Sequence, residues 1–264
     1  MGKIIAISNE KGGVGKTTTT LNLGARLAAR GKRVLLIDAD PQANLTMSVG
    51  VDAPDTLGTT ITQLMKAVAA EQGGVKTLAE SCMLHSSGMD IIPSNVMLGE
   101  VPEQLNHILG REYIMRELLE PFKTDYDYVL IDCQPSLGFL PKNAWTAADS
   151  VIIPCEPEYY SSEGVELILA CLRQIIRKRI NPDLKIEGIL ITKLDSRTRD
   201  AAQTIANITE AYGGALRIYE TRIPKSVKAS EAAYRGKTLF EHAWKSPIAQ
   251  SYAAFGDEFL RTEA

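Results

Sequence analysis

Short, wholly apolar runs alternate along this chain with longer stretches of helical periodicity. Ile4–Ser8, Arg33–Asp38, Tyr128–Asp132, Ser150–Pro154 and Glu187–Thr192 are dominated by Ile, Val and Leu and read as strands. Shorter strands are predicted at Asp90–Pro93 and Leu216–Tyr219. Between them, Lys16–Arg30, Glu112–Phe122, Glu163–Lys178, Thr198–Tyr212 and Pro247–Leu260 place apolar residues at helical spacing, and Gly31 is placed to end the first helix. Strands without polar alternation are covered on both faces, the mark of a parallel sheet between helix layers. The expected fold is therefore α/β: a single doubly wound, mostly parallel sheet with helices on both faces, spanning 1–264 as one domain. Residues 51–100 lack a clear period and read as an irregular insertion containing helices.

Composition narrows the class. Hydrophobic residues make up 45% and charged residues 23%, which excludes a disordered or collagen-like chain. No run approaches a membrane-spanning length, and the first residues lack the apolar core of a secretory signal. Cys82, Cys133, Cys155 and Cys171 form no CxxC pair, and with His85, His107 and His242 as the only histidines a zinc site has little to build on. Unpaired thiols and the missing leader point to the cytoplasm.

The informative stretch is Glu10–Thr18, EKGGVGKTT, between the first strand and the first helix. Gly12, Gly13, Val14 and Gly15 give a loop whose N–H groups can turn inward to phosphate oxygens, and the helix start adds partial positive charge. Lys16 supplies a point charge to the outer phosphates, Thr17 a hydroxyl for Mg²⁺, and Thr18 a further polar group. The usual P-loop begins with glycine; here Glu10 holds that position and a second lysine, Lys11, precedes the glycines. Asp132 ends an apolar strand, where a carboxylate can reach Mg²⁺ through water. Asp38 and Asp40 close the second strand, on one side of it if the strand persists.

These motifs together resemble the ParA/Soj family of partition ATPases, within the MinD/ParA group. The deviant KGGVGKT loop carries the likeness, with Asp38–Asn44 (DADPQAN) and Tyr126–Gly138 (YDYVLIDCQPSLG), where Gln134 replaces the commoner proline. Pro93–Asn95 (PSN), Gly110–Glu112 (GRE), Glu163–Gly164 and Ile223–Ala232 (IPKSVKASEA) follow in the family's order, so the likeness runs from Gly2 to about Leu260. It implies ATP and Mg²⁺ as ligands and ATP hydrolysis that stays slow until a partner stimulates it. It implies that Asp40 positions the attacking water and contributes with Thr17 and Asp132 to the metal site. It also implies that Lys11 reaches the nucleotide of a second subunit, in a homodimer closed by ATP. Pro224 falls in the loop that contacts adenine in the family, and Thr192–Asp195 (TKLD) is a second base-reading candidate.

Charge adds a partner. Between Arg173 and Lys237 there are fourteen Lys+Arg against seven Asp+Glu, in a chain whose net charge is −3. Such asymmetry makes a local basic face. Arg197, Lys225 and Lys228 match positions where the family contacts DNA. No helix-turn-helix accompanies them, so contacts to phosphates are expected, sensitive to salt and indifferent to sequence. The first strand begins at Lys3, so the N-terminal DNA-reading module of some family members is not expected. The resemblance implies DNA segregation of a plasmid or chromosome, with a ParB-like centromere-binding partner and association with the nucleoid in the ATP state. One alternative is a related ATPase that positions a protein cargo. The other is a MinD-like membrane-associated ATPase. The latter needs a basic amphipathic tail, whereas here Asp257, Glu258 and Glu263 stand against Arg261, and no membrane partner is expected.

Overall fold

A computed structural model describes residues 2–157, 161–195 and 199–263. Seven strands form one sheet: β1 (Lys3–Ile7), β2 (Val34–Ala39), β3 (Leu84–Ser86), β4 (Met89–Ile92), β5 (Tyr128–Cys133), β6 (Ser150–Cys155) and β7 (Lys185–Ile191). Their order across the sheet is β3-β4-β2-β5-β1-β6-β7, and every pairing is parallel except the β3–β4 hairpin at one edge. The helices are α1 (Lys16–Ala29), α2 (Asn44–Ser48), α3 (Ile61–Ala69), α4 (Val75–Cys82), α5 (Val101–Gln104) and α6 (Ile114–Leu119). They continue with α7 (Phe139–Ala147), α8 (Ser161–Arg177), α9 (Arg199–Tyr212), α10 (Lys228–Tyr234), α11 (Leu239–Ala243) and α12 (Pro247–Glu263).

Alternate residues of the strands feed two cores. Ile4, Ala6, Leu35, Ile37, Val129 and Ile131 face one, with Leu64 of α3, Leu118 of α6, Trp145 of α7 and Leu169 of α8. Ile5, Ile7, Leu36, Leu130 and Ile152 face the other, with Leu23 and Leu27 of α1 and Phe255 and Phe259 of α12. This is the doubly wound, mostly parallel sheet with helices on both faces that the apolar runs predict. The apolar side of α12 is spent on that core, and no helix of the described residues is long and apolar enough to cross a membrane.

Several predicted boundaries shift. Glu112–Phe122 is not one helix: 3₁₀ turns at Arg111–Tyr113 and Glu120–Phe122 flank α6. Pro121 has no N–H to continue the ladder. Leu216–Tyr219 is not a strand but a single bridge, Ile218 to Ile189. The Glu258 carboxylate accepts the N–H groups of Glu220 (2.8 Å) and Thr221 (2.9 Å) and draws the chain off the sheet edge. Residues 51–100 do hold helices, and also supply β3 and β4.

Candidate nucleotide site

The site lies at the carboxyl ends of β1, β2 and β5, where ligands of open α/β sheets bind. The chain leaves β1 through the glycine loop and enters α1. Gly13 and Gly15 have φ of +76° and +87°, a left-handed conformation that a side chain would strain. α1 starts without a side-chain cap or an acidic residue in its first turn, so its leading N–H groups face the cavity uncompensated. The loop is held from outside. Thr192 Oγ1 donates to Val14 O at 2.7 Å, Asn9 Nδ2 to Pro154 O at 2.7 Å, and Lys11 N to Asn9 Oδ1 at 3.0 Å.

Lys16 is 7% exposed and its Nζ donates to Lys11 O at 2.8 Å. Burial pushes its amine below the ordinary lysine range, opposed by the charges of Asp132 and Asp40. Asp132 is buried on β5; Thr20 Oγ1 donates to its Oδ1 at 3.5 Å and Thr17 hydrogen-bonds it as well, while its Oδ2 has no partner. Burial drives its carboxyl well above the usual carboxylate range, and Asp38 beside it adds to the shift. A buried carboxylate oxygen without a partner, next to a threonine hydroxyl at the phosphate loop, is a donor set that fits a hydrated divalent cation.

β2 ends at Ala39, so Asp38 and Asp40 part company. Asp38 is fully buried and accepts from Thr46 N (2.8 Å), Thr46 Oγ1 (2.7 Å) and Asp40 N (3.2 Å). Asp40 turns toward the cavity, its Oδ1 accepting from Gln42 N at 2.9 Å. Burial raises both carboxyls, Asp38 to about 6.

A cavity of about 580 Å³ collects most of the predicted residues: Gly13, Gly15, Lys16, Thr17, Thr18, Asp40, Pro224 and Lys225 line it. Lys11, Gly12, Val14 and Asp132 do not; Lys11 is half-buried and Gly12 exposed. The TKLD and IPKS segments are joined above the cavity by the Leu194–Pro224 bridge, with Leu194 N donating to Ile223 O (2.9 Å) and Lys225 N to Leu194 O (3.0 Å). Lys228 opens α10, whose Ala229, Ser230 and Ala233 line the cavity, but is not itself in the lining; its Nζ lies 2.8 Å from Glu231. Arg197 lies outside the described residues. Gln42, Asn44 and Ser48, and Ile248 and Tyr252 of α12, also belong to the lining without having been assigned a role in the sequence. Nothing local marks Ile248 or Tyr252, because long-range packing places them. Gln42 and Asn44 lie inside the DADPQAN motif that could have flagged them.

Comparison with known proteins bears on the family and the fold. A family model described as an AAA domain matches residues 2–186. The chain is 41% identical over 258 residues to the sporulation initiation inhibitor protein Soj of Bacillus subtilis, covering 98% of each. It is 36% identical to the chromosome partitioning protein ParA of Myxococcus xanthus, covering all of this chain and 89% of that protein. Among solved structures, a cobyrinic acid a,c-diamide synthase from Mycobacterium smegmatis with bound ADP and magnesium superposes with a TM-score of 0.84. It is 33% identical and covers 100% of this chain and 96% of its own. With a deviant phosphate loop on this sheet and full-length likeness to Soj and ParA, the chain belongs to the ParA/Soj family of partition ATPases.

Proposed function

We propose that this protein is an ATP-driven DNA-partition switch, a single domain whose ATP-bound homodimer rides on nonspecific DNA until a ParB-like partner triggers hydrolysis. The observation that carries the reading is the meeting of Lys16, Thr17 and Asp40 in one cavity, with the unpartnered oxygen of Asp132 behind them.

The N–H groups of Gly12–Thr18 and the Lys16 ammonium bind the β- and γ-phosphates, with Lys16 exchanging its bond to Lys11 O for phosphate oxygen. Thr17 and, through water, Asp132 and Asp40 would hold Mg²⁺, whose positive charge would offset that of the phosphates. Asp40 orients a water in line with the γ-phosphorus; its oxygen forms the new P–O bond as the bond to the ADP oxygen breaks and its proton passes to a phosphate oxygen, leaving ADP and phosphate. The bridged loops at Leu194 and Pro224 bind adenine. Lys11, outside the cavity of its own subunit, stabilises charge on the partner's nucleotide.

The basic segment Arg173–Lys237 binds DNA phosphates through Arg197, Lys225 and Lys228, placing the ATP form on the nucleoid. Lys225 sits on the cavity wall, so nucleotide and DNA contacts share one loop. The test is binding to random-sequence duplex at low salt with ATP, ADP or no nucleotide, beside Arg197→Glu. Binding that requires ATP, weakens with salt and is lost in the variant is expected. Dimerisation by ATP with no DNA binding in any state would overturn the partition reading in favour of a protein cargo.

A further inference from the structure

The Pro93–Asn95 segment lies outside the cavity lining, yet Ser94 is fully buried and joins a closed ring of hydrogen bonds. Asp40 N donates to Asp38 Oδ1 at 3.2 Å. Asp38 Oδ2 accepts the Thr46 hydroxyl at 2.7 Å and the Thr46 N–H at 2.8 Å. Thr46 Oγ1 in turn accepts Ser94 N at 2.9 Å, and Ser94 Oγ donates to Asp40 O at 2.8 Å. The directions are consistent around the ring: each hydroxyl gives its one proton and Thr46 accepts on a lone pair.

Three elements meet here, the end of β2, helix α2 and the exit of β4. Thr46 and Asp38, like Ser94, have no exposed surface, so no water competes for these bonds. The ring fixes the backbone of Asp40 from both sides, through its N–H and its carbonyl. Ala43, with φ of +52°, adds a second donor to the same carbonyl at 2.9 Å. The carboxylate then has only its own side-chain torsions left, and Gln42 N takes up one of its oxygens.

We infer that Thr46 and Ser94 are positioning residues for the hydrolytic step, holding Asp40 at the attacking water. The inference rests on the assignment of Asp40 above. Ser94 acts from the turn after β4, a segment that carries no group in the cavity, which gives the PSN motif a chemical purpose. A shift of an ångström in a catalytic group can slow a reaction about a hundredfold, so even a partial loosening should be readable.

The experiment compares Thr46→Val, Thr46→Ser, Ser94→Ala and Asp40→Ala in single-turnover ATP hydrolysis, with ATP affinity measured separately. Thr46→Val and Ser94→Ala are expected to slow hydrolysis about tenfold or more while affinity stays within about twofold. Thr46→Ser, which keeps the hydroxyl, is expected to stay near the parent rate. In an Asp40→Ala background Thr46→Val should add no further loss, since residues acting as a unit are not additive. Full hydrolysis in both Thr46→Val and Ser94→Ala, with Asp40→Ala slow, overturns the positioning role and leaves the Asp40 assignment standing. Full hydrolysis in Asp40→Ala overturns that assignment itself. Equal loss of affinity and rate in Thr46→Val and Ser94→Ala assigns the ring to folding alone and also overturns the inference.

Discussion

Asp38 of β2 and Asp132 of β5 are register partners on adjacent strands, both buried at the carboxyl edge of the sheet. Two acidic groups side by side in the interior oppose each other's ionisation, and one Asp132 oxygen has no donor at all. If Asp132 serves the metal as proposed, the nucleotide-free protein bears this cost in stability for it. Asp132→Asn is therefore expected to raise the melting temperature without ligand, by about 1 kcal/mol of stability or more. It should also abolish the extra stabilisation that Mg²⁺ adds to ATP. Thermal shift with and without Mg²⁺ checks both; a variant that melts lower in the absence of ligand contradicts the argument.

Lys16 is seated at the start of α1, whereas the other lysines of the cavity, Lys193 and Lys225, come from the opposite loops. Lys16→Ala should weaken ATP binding on the order of a hundredfold, the worth of a buried charge-assisted contact. Titration of a fluorescent ATP analogue reads this directly. Near-parent affinity would remove Lys16 from the phosphates.

Lys11 stands outside the cavity that holds Asp40. If each lysine serves the partner's nucleotide, Lys11→Ala and Asp40→Ala subunits are both inactive alone, yet their mixture contains one complete site per heterodimer. Mixing is expected to restore up to about half the activity of a parent dimer, in proportion to the heterodimer formed. No recovery from a mixture shown to form heterodimers would place Lys11 in its own subunit's site.

Asp257 of α12 lies 2.6 Å from Arg26 of α1 and 2.8 Å from Arg30, the residue that ends it. The guanidinium groups of Arg30 and Arg26 hold its carboxyl at about 2. A carboxyl depressed by folding stabilises the protein fully above its unfolded pKa near 4, and the contribution fades as pH falls toward 2. Because the pair is partly exposed, Asp257→Asn is expected to cost only about 1 kcal/mol at neutral pH. Urea midpoints of parent and variant should draw together as pH drops from 5 to 3, and with added salt. A gap that is constant with pH would mean the ion pair does not hold α12.

Much of the fold was legible because β1, β2, β5 and β6 are buried on both faces and hold unbroken apolar runs, with Lys3, Asp38, Asp132 and Ser150 only at or near their ends. β3 was not, since three residues with His85 exposed at an edge carry no period. α10 and α11 were hidden by their shortness, and Leu216–Tyr219 looked like a strand because apolar content cannot reveal that Glu258 would divert the next two N–H groups. In the site, Gly13, Lys16, Thr17 and Asp132 were legible because phosphate chemistry fixes both residue type and spacing. Thr46 and Ser94 were not, since their partners are 8 and 54 residues away and any hydroxyl in the sequence looks alike.

The bond from Thr192 to Val14 O crosses 178 residues. It has a consequence for how the protein is made. A chain emerging from its N-terminus presents the phosphate loop early, but the loop lacks its outer clamp until β7 has been synthesised, and lacks the Pro224 wall for some thirty residues more. Nucleotide therefore finds no finished pocket on a nascent chain. An interrupted product that ends before β7 lacks both the outer clamp of the loop and the Pro224 wall.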